Sequence, residues 1–298
     1  MAADREPARV APAPVVFAEL AAMRGWIGAQ RAQGAVIGFV PTMGALHAGH
    51  VSLVHLLRAQ GCSQVVASIF VNPTQFAAHE DLSTYPRPFE ADLAALAAAG
   101  CAACFAPAPA ELYPSGEATR VLVGGPSLGL ESAPRPHFFE GVATVVAKLL
   151  IGLAPDKAAF GEKDYQQLLV VRRLVADLMI PVEILAGPTF READGLAMSS
   201  RNVYLSAAER QIAPHLHRVL QETAAAIAGA SPIDAAIAAA ERALLAAGFA
   251  GVDYVAVRRA SDLSVFTENF ADAPARVLGA VRLHSTRLID NVGAEPMG

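Results

Sequence analysis

The stretch Ala35–His55, AVIGFV-PTMGALHAGH-VSLVH, is the most informative part of the chain for its fold. Its first six residues are apolar and rich in β-branched side chains, which predicts a buried strand. Pro41 is expected to end that strand, because proline has no N–H to give to a sheet. Apolar residues return at helical spacing from Leu53 onward. The stretch therefore predicts a strand, a glycine-containing turn and a helix.

The predicted turn has the features of an anion site. Gly44 and Gly49 let the backbone approach a ligand closely, and free N–H groups at a helix start attract phosphates. His47 and His50 would share one face of the first helical turn. The glycine spacing is that of a Walker A loop, but His50 and Val51 replace its Lys and its Ser or Thr. The turn alone leaves open a phosphate site or a tight turn with two solvated histidines.

Composition excludes several classes of protein. The chain has 298 residues, is 54% hydrophobic and carries a formal net charge of −5, which is a globular composition without a basic block for nucleic acid. The pattern of its first residues is not that expected of a secretory signal, and its apolar runs are shorter than a predicted membrane span. We expect a cytoplasmic protein in which residues 1–14 form a poorly ordered leader.

The three cysteines are Cys62, Cys101 and Cys104. An odd number without a signal peptide favours a reducing compartment. Cys101 and Cys104 have CxxC spacing, but no second pair of ligands accompanies them. We therefore predict small core residues on a short strand rather than a zinc or redox site.

Strand-like and helical patterns alternate up to residue 188. Further strands are predicted at residues 65–71, 102–106, 157–160 and 182–186, and helices at 17–33, 91–99, 141–153 and 164–179. This alternation predicts an α/β fold, a Rossmann-like doubly wound parallel sheet whose ligands bind at the carboxyl ends of the strands. We expect one cleft from the polar segments at those ends: PTMGALHAGH, NPTQF, GEKD and PTFREADGLAMSSR.

The pattern changes after Pro188. A capping box at Ser206 predicts a helix up to Ala228, which Pro214 kinks or divides. A second helix begins at Ser231, and strand-like runs cover residues 252–257, 275–281 and 283–289. We expect two domains, residues 1–188 and a smaller α+β domain at residues 189–298.

Four segments in order, PTMGALHAGH, FVNPTQF, FGEKDYQQL and GLAMSSRN, together with a closing TRLIDN, resemble the pantothenate synthetase (pantoate–β-alanine ligase) family. The HxGH pattern at residues 47–50 marks only the wider nucleotidyltransferase superfamily, whereas the set is specific. The resemblance covers the chain from about Phe17. It implies a nucleotide- and pantoate-binding first domain, a C-terminal lid and a homodimer.

The resemblance also implies a reaction, the ATP-dependent joining of pantoate and β-alanine. The pantoate carboxylate attacks the α-phosphorus of ATP and releases pyrophosphate, which leaves pantoyl adenylate. The β-alanine amine then attacks the acyl carbon and gives pantothenate and AMP. No protein nucleophile is needed, so catalysis is expected from positioning and from charge stabilisation. ATP is a substrate, and Mg²⁺ is the expected metal.

The resemblance assigns catalysis to His47, His50, Lys163 and Arg201. The family's usual role for His50 is proton donor, but we expect it first to donate a hydrogen bond in the transition state. A neighbouring phosphate would favour the charged imidazole, and Lys163 supplies a fixed charge. Asp164 is expected to contact ribose or the metal. The implied ATP-binding residues are Met43, Gly44, Ala45, Leu46, His47, Ala48, Gly49, His50, Gly161, Glu162, Lys163, Asp164, Phe190, Met198, Ser199, Ser200 and Arg201.

Two glutamines, Gln75 and Gln167, resemble those that hold pantoate. Gln166, next to the second, is a glutamine that could be mistaken for it. Amides bind carboxylates and hydroxyls without adding charge. Asn72 and Tyr85 are further substrate-binding candidates, although an Asn before Pro is commonly a turn residue.

One segment departs from the family pattern Arg-Pro-Gly-His-Phe. This chain has Arg135-Pro136-His137-Phe138-Phe139, so the glycine is replaced and the histidine lies one place earlier. The departure puts the family role of that histidine in doubt.

Two alternatives to the ligase remain. An adenylyltransferase for a phosphorylated substrate would call for more positive charge than Gln75 and Gln167 provide. A nucleotide-binding regulatory protein with an inactive site would bind ATP without turnover, and it would not need all four catalytic candidates.

Overall fold

The computed structural model describes residues 12–76, 82, 84–284 and 286–296. The first part of the chain forms a parallel sheet with the spatial order β1-β4-β3-β2-β5-β6. This sheet confirms the predicted Rossmann-like α/β class. Its strands are β1 (Val15–Phe17), β2 (Ile37–Thr42), β3 (Gln64–Ile69), β4 (Ala103–Phe105), β5 (Lys157–Gly161) and β6 (Glu183–Gly187).

Helices cover both faces of this sheet. They are α1 (Leu20–Ala32), α2 (Ala48–Ala59), α3 (Phe89–Ala98), α4 (Pro109–Leu112), α5 (Phe138–Leu153) and α6 (Tyr165–Asp177). Phe39 of β2 packs with α1, α5 and α6 on one face, and its neighbour Val40 packs with α2 and α3 on the other. This is the burial expected of a doubly wound sheet, because successive strand residues point to opposite faces.

The expected end of β2 at Pro41 is wrong. The strand continues to Thr42, and Pro41 pairs with Ser68 of β3. On its other side β2 pairs with β5 only at Gly38 and Phe39. Since β5 is not paired at Pro41, the missing N–H removes no bond on that side.

The first helix begins later than predicted. The sequence predicts a helix from Phe17, but Val15–Phe17 form β1 and α1 begins at Leu20. Residues 1–11 lie outside the described residues, so the predicted leader at residues 1–14 stays a prediction. This strand pairs with β4, with Val15 beside Ala103. Three residues carry too little periodicity to indicate a strand, so the neighbouring edge decides it.

The second part of the chain forms an antiparallel sheet in the order β7-β8-β9, which confirms a smaller α+β region. The capping box at Ser206 is present, and Pro214 divides the predicted long helix. Its elements are α7 (Ala207–Ile212), α8 (His215–Ala228), α9 (Ile233–Ala246), β7 (Gly251–Arg259), β8 (Ala275–Leu283) and β9 (Thr286–Ala294).

All three cysteines are buried free thiols. Burial raises the pKa of Cys101 to about 11 and that of Cys104 to about 12. Reactive cysteines need a lowered thiol pKa, so these two have the character of core residues, as predicted.

Among the described residues, no helix is both long enough and apolar enough to cross a bilayer. The domain boundary near residue 189 stays a prediction. The separate core around α8, α9 and the second sheet, which begins at Leu196, is consistent with it.

Candidate active site

One cleft of about 1060 Å³ lies between the carboxyl ends of strands of the parallel sheet and the second sheet. It brings together most of the residues that the sequence predicts for the site. Gly44, Ala45, Leu46, Ala48 and Glu162 do not line it. The predicted residues that do are Met43, His47, Gly49, His50, Asn72, Gln75, Tyr85, Gly161, Lys163, Asp164, Gln167, Phe190, Met198, Ser199, Ser200 and Arg201.

A buried carboxylate holds the turn after β2 through hydrogen bonds to its backbone. Asp92 of α3 is 2% exposed and accepts the N–H of Ala45 at 2.9 Å and that of Leu46 at 2.7 Å. Gly44 and Ala45 both have positive φ, and a Cβ on Gly44 would lie 3.0 Å from the Asp92 carboxylate. Two of the N–H groups that seemed free in the sequence are therefore bonded within the protein.

The two histidines begin α2 as a reciprocal cap. Nδ1 of His47 accepts the Gly49 N–H at 3.2 Å, and Nδ1 of His50 accepts the His47 N–H at 3.3 Å. A neutral imidazole with Nδ1 as acceptor carries its proton on Nε2. Each ring is therefore fixed in the tautomer that can donate from Nε2.

The environment keeps both imidazoles neutral at pH 7. The rings lie 4.1 Å apart between centroids. Burial, and then the Lys163 charge, lowers the pKa of His47 to about 4. Burial, and then His47 and Lys163, lowers the pKa of His50 to about 3. In the ligand-free chain the histidines are therefore uncharged donors, unlike the imidazolium that a phosphate was expected to favour.

Gly49 allows this arrangement. A Cβ at that position would lie 2.9 Å from His47 ring atoms, closer than side chains tolerate. The glycine of the HxGH pattern thus leaves room for the ring that caps the helix.

Lys163 lies in the turn that follows β5. Residues Glu162–Asp164 form a single 3₁₀ turn before α6. The Lys163 Nζ is 3.6 Å from Asp164 Oδ1, and the two side chains are 21% and 47% exposed. Both the cation and the carboxylate are accessible to a ligand in the cleft.

The segment after β6 covers another side of the cleft. Ser199 caps the 3₁₀ helix Ser200–Tyr204 by accepting the Arg201 N–H at 3.2 Å. Ser200 Oγ lies 3.2 Å from the Tyr85 hydroxyl. The Phe190 carbonyl accepts the Met198 N–H at 2.9 Å, which leaves one of its two lone pairs. These contacts bring residues far apart in sequence to one wall.

Helical geometry separates Gln167 from Gln166. Gln166 is 4% exposed; its side chain accepts the Glu131 N–H and donates to the carbonyls of Pro126 and Gly129. All of these partners belong to the protein, so Gln166 is structural. Gln167 is half-buried and lines the cleft.

Asn72 lines the cleft, but protein partners use its amide. Its Nδ2 donates to the Gly141 carbonyl at 3.1 Å, and its Oδ1 accepts the Tyr113 hydroxyl at 2.8 Å. A Cβ on Gly141 would lie 2.5 Å from the Thr74 carbonyl. The geometry favours Asn72 as the residue that joins the Pro73–Gln75 turn to α5.

The segment that departs from the family pattern places Phe138 in the cleft wall. His137 is exposed and lies outside the cleft. The Arg135 guanidinium stacks on the Phe138 ring, 3.9 Å from its centroid, and Arg135 Nη2 donates to the Gln75 carbonyl at 3.0 Å. His137 therefore does not line the cleft, and Phe138 does.

Sequence reasoning missed two residues of the site, Asp92 and Asn291. Asp92 lies in an apolar helix, FEADLAALAA. A carboxylate buried in such a helix needs a hydrogen-bond partner, and this is the signal that could have identified it. Asn291 belongs to the TRLIDN segment, but no local pattern shows what it contacts.

The fold and the site define the class: an α/β nucleotide-binding protein of the HxGH type. A family model described as pantoate-beta-alanine ligase matches residues 15–293. The chain belongs to the pantoate-beta-alanine ligase family, and it is a ligase of pantothenate biosynthesis.

Relatives support this membership along nearly the whole chain. Pantothenate synthetase from Maricaulis maris is 52% identical over 277 residues, which cover 93% of this chain and 96% of the relative. The one from Paramagnetospirillum magneticum is 53% identical over 282 residues, covering 94% and 98%.

Solved structures give the same result. The crystal structure of pantothenate synthetase from Thermus thermophilus matches with a TM-score of 0.86 at 45% identity, covering 95% of this chain and all of that one. Pantoate-beta-alanine ligase from Francisella tularensis, complexed with Beta-gamma ATP and Beta-alanine, matches with a TM-score of 0.79 at 31% identity, covering 94% and 97%.

Proposed function

We propose that this ligase joins pantoate to β-alanine in the cleft, using ATP and forming pantoyl adenylate. One observation carries the proposal: two neutral histidine donors, Lys163 and Arg201 line the same cleft as uncharged Gln75 and Gln167. Donors and cations suit the phosphates of ATP. Amides suit a hydroxy acid.

In the first step, a pantoate carboxylate oxygen bonds to the α-phosphorus of ATP. The bond from that phosphorus to the oxygen bridging to the β-phosphate breaks, and pyrophosphate leaves. His47 and His50 donate from Nε2 to phosphate oxygens, and Lys163 stabilises the charge that develops on them. Neutral donors suit this task, since no proton has to be transferred.

In the second step, the uncharged amine of β-alanine attacks the acyl carbon. The amide bond forms, the bond from that carbon to the AMP oxygen breaks, and the nitrogen releases a proton to water. We assign to Gln75, which lines the cleft, the orientation of both small substrates through its amide. The two steps leave one pantoate oxygen in AMP.

Mg²⁺ is part of the proposal, with Asp164 as its protein ligand. The described residues contain no cluster of three or more His, Cys, Asp or Glu side chains able to hold a metal. One accessible carboxylate fits Mg²⁺, because this ion commonly takes one or two carboxylates together with substrate phosphates. When bound, it would neutralise phosphate charge.

We also propose the ATP-binding and substrate-binding roles that the resemblance implies for the other predicted residues. Residues 189–298 would act as a lid, and the protein would be a homodimer in the cytoplasm. The location is supported by the buried free thiols, which suit a reducing compartment. Sedimentation equilibrium tests the dimer: a single species with the 31.0 kDa mass of one chain would contradict it.

An isotope experiment tests the reaction. Pantoate labelled with ¹⁸O in its carboxylate is incubated with ATP, Mg²⁺ and β-alanine, and AMP is analysed by mass spectrometry. We expect one labelled oxygen in each AMP. Pantoate without β-alanine should support only a stoichiometric burst of pyrophosphate. Unlabelled AMP formed with pantothenate would contradict the adenylate, and bound ATP without either product would favour a binding protein.

A further inference from the structure

The last strand of the second sheet makes direct contact with the Lys163 turn. Asn291 of β9 donates from Nδ2 to the carbonyls of Glu162 and Lys163, both at 2.9 Å. The residue is 3% exposed. One buried amide of the C-terminal sheet therefore holds the backbone at the proposed phosphate cation.

The orientation of this amide follows from its partners. Arg276 Nε donates to Asn291 Oδ1 at 2.6 Å. Arginine has no acceptor and carbonyls have no donor, so Oδ1 has to face Arg276 and Nδ2 has to face the turn. The Arg276 guanidinium also reaches the Glu162 carboxylate at 3.3 Å and stacks 4.0 Å over the Tyr165 ring. The turn is thus held through backbone and side chain.

The preceding residue fixes the strand in place. The Asp290 carboxylate accepts the Asn291 N–H at 2.7 Å and binds Arg191 at 2.6 and 3.1 Å. His217 lies 3.4 Å from the same carboxylate. These contacts hold the pKa of Asp290 low despite its burial. Since Arg191 begins the segment that leads to Ser199, the pair Asp290–Asn291 ties two walls of the cleft together.

We propose that Asn291 is a positioning residue that sets the place of the Lys163 ammonium for the phosphates of ATP. The inference rests on the proposed function of Lys163 and adds how the second sheet contributes to it. A lysine side chain has four rotatable bonds, so a fixed backbone limits the region that its Nζ can reach. The attraction between two charges falls with the distance between them, so a shift of about 1 Å in Nζ weakens its attraction to a phosphate oxygen.

A double-mutant cycle on ATP binding tests this. Asn291→Ala removes both donors without adding charge, and Lys163→Met removes the cation. Calorimetry with ATP and Mg²⁺ is carried out on the full chain, the two single variants and the double variant. If Asn291 acts through Lys163, we expect Asn291→Ala to raise the dissociation constant about tenfold, and the double variant to bind no more weakly than Lys163→Met.

Asn269→Ala is the matched control. Asn269 also exchanges two hydrogen bonds in the second part of the chain, with Asp234, but it lies outside the cleft. ATP affinity should not change in this variant. If Asn291→Ala does not fold, Asn291→Ser gives the comparison, because a single hydroxyl hydrogen leaves at least one of the two carbonyls without its donor.

Two results would overturn the proposal. One is unchanged ATP affinity in a folded Asn291 variant, and the other is additive losses in the double variant. The cycle measures ATP binding, so it does not depend on turnover. If the unmodified protein binds ATP but makes no pantothenate, the proposed function is contradicted, and the cycle can still be measured and interpreted.

Discussion

The turn after β2 and the turn after β5 end neighbouring strands of one sheet, but different parts of the chain hold them. The first is fixed within its own half, by the His47–His50 cap and by Asp92. The second is fixed by Asn291 and Arg276 of the other sheet. The donors of the site are therefore set locally, whereas its lysine is set by packing between the two sheets.

This difference has a functional consequence. A change in how the sheets pack would move Lys163 but leave the histidines in place. If the two sheets separated when ligands enter or leave, the Lys163 turn would lose its hydrogen bonds to Asn291, whereas the histidine cap would keep its own. Substitutions in the two turns should therefore give different kinetic results, in the order of size that follows.

The largest effect is expected for Lys163→Met. Removing the fixed cation should lower kcat/KM for ATP by about 100-fold to 1000-fold, the scale of a lost transition-state donor. Initial rates of AMP formation measure it. Lys157→Met, in the strand that leads into this turn, removes an ion pair with Glu183 at 2.9 Å and serves as control. Equal losses in both variants would show a structural effect only.

Asp92→Asn should have the next largest effect. Each carboxylate oxygen accepts one N–H, and an amide has an oxygen at only one of these two positions. The first turn should therefore loosen, with kcat reduced about tenfold and the free energy of unfolding lowered by about 1–3 kcal/mol. Denaturation in urea and steady-state rates measure the two losses. Glu90→Gln, an exposed site on the same helix, should change neither. An Asp92→Asn enzyme with normal kcat would show that the turn does not need this support.

The pH dependence of stability tests the neutral histidines. Unfolded histidine binds a proton near its ordinary pKa of about 6.5, whereas folded His47 and His50 do so only near a pKa of about 4 and about 3. The unfolded state therefore gains protons first, and the free energy of unfolding should fall as pH drops from about 6.5 toward 4.

Urea melts of the ligand-free chain between about pH 7.5 and about pH 4 measure this slope. His50→Gln removes one of the two groups, so its slope should be smaller. An identical slope in that variant would show that His50 titrates alike in both states.

The smallest effect is expected for Phe138→Leu. It removes the ring on which Arg135 stacks, a contact worth about 0.5–1 kcal/mol, so the position of Gln75 should be less well defined. We expect KM for pantoate to rise about twofold to fivefold, with KM for ATP unchanged. His137→Ala, at the exposed neighbouring position, should change neither value. A rise in both KM values for Phe138→Leu would indicate that the substitution disturbs the cleft as a whole rather than the position of Gln75.

Much of the fold could be predicted from local patterns. The alternation of strands and helices indicated the parallel sheet, and Ser206 and Pro214 marked helix ends that the structure contains. The misses have local causes. β1 is only three residues long. Pro41 stays in β2 because the pairing between β2 and β5 ends before Pro41. Neither fact is visible in a window of sequence.

Local sequence was enough to give the order of the segments, the two histidines placed around Gly49 at a helix start, and hence the family. These depend on residues that are neighbours along the chain, where spacing fixes geometry. Tertiary packing, in contrast, sets which N–H groups Asp92 accepts and which carbonyls Asn291 holds. Those partners lie 46 to 129 residues apart, and contacts at such separations depend on how sheets and helices pack rather than on any local pattern.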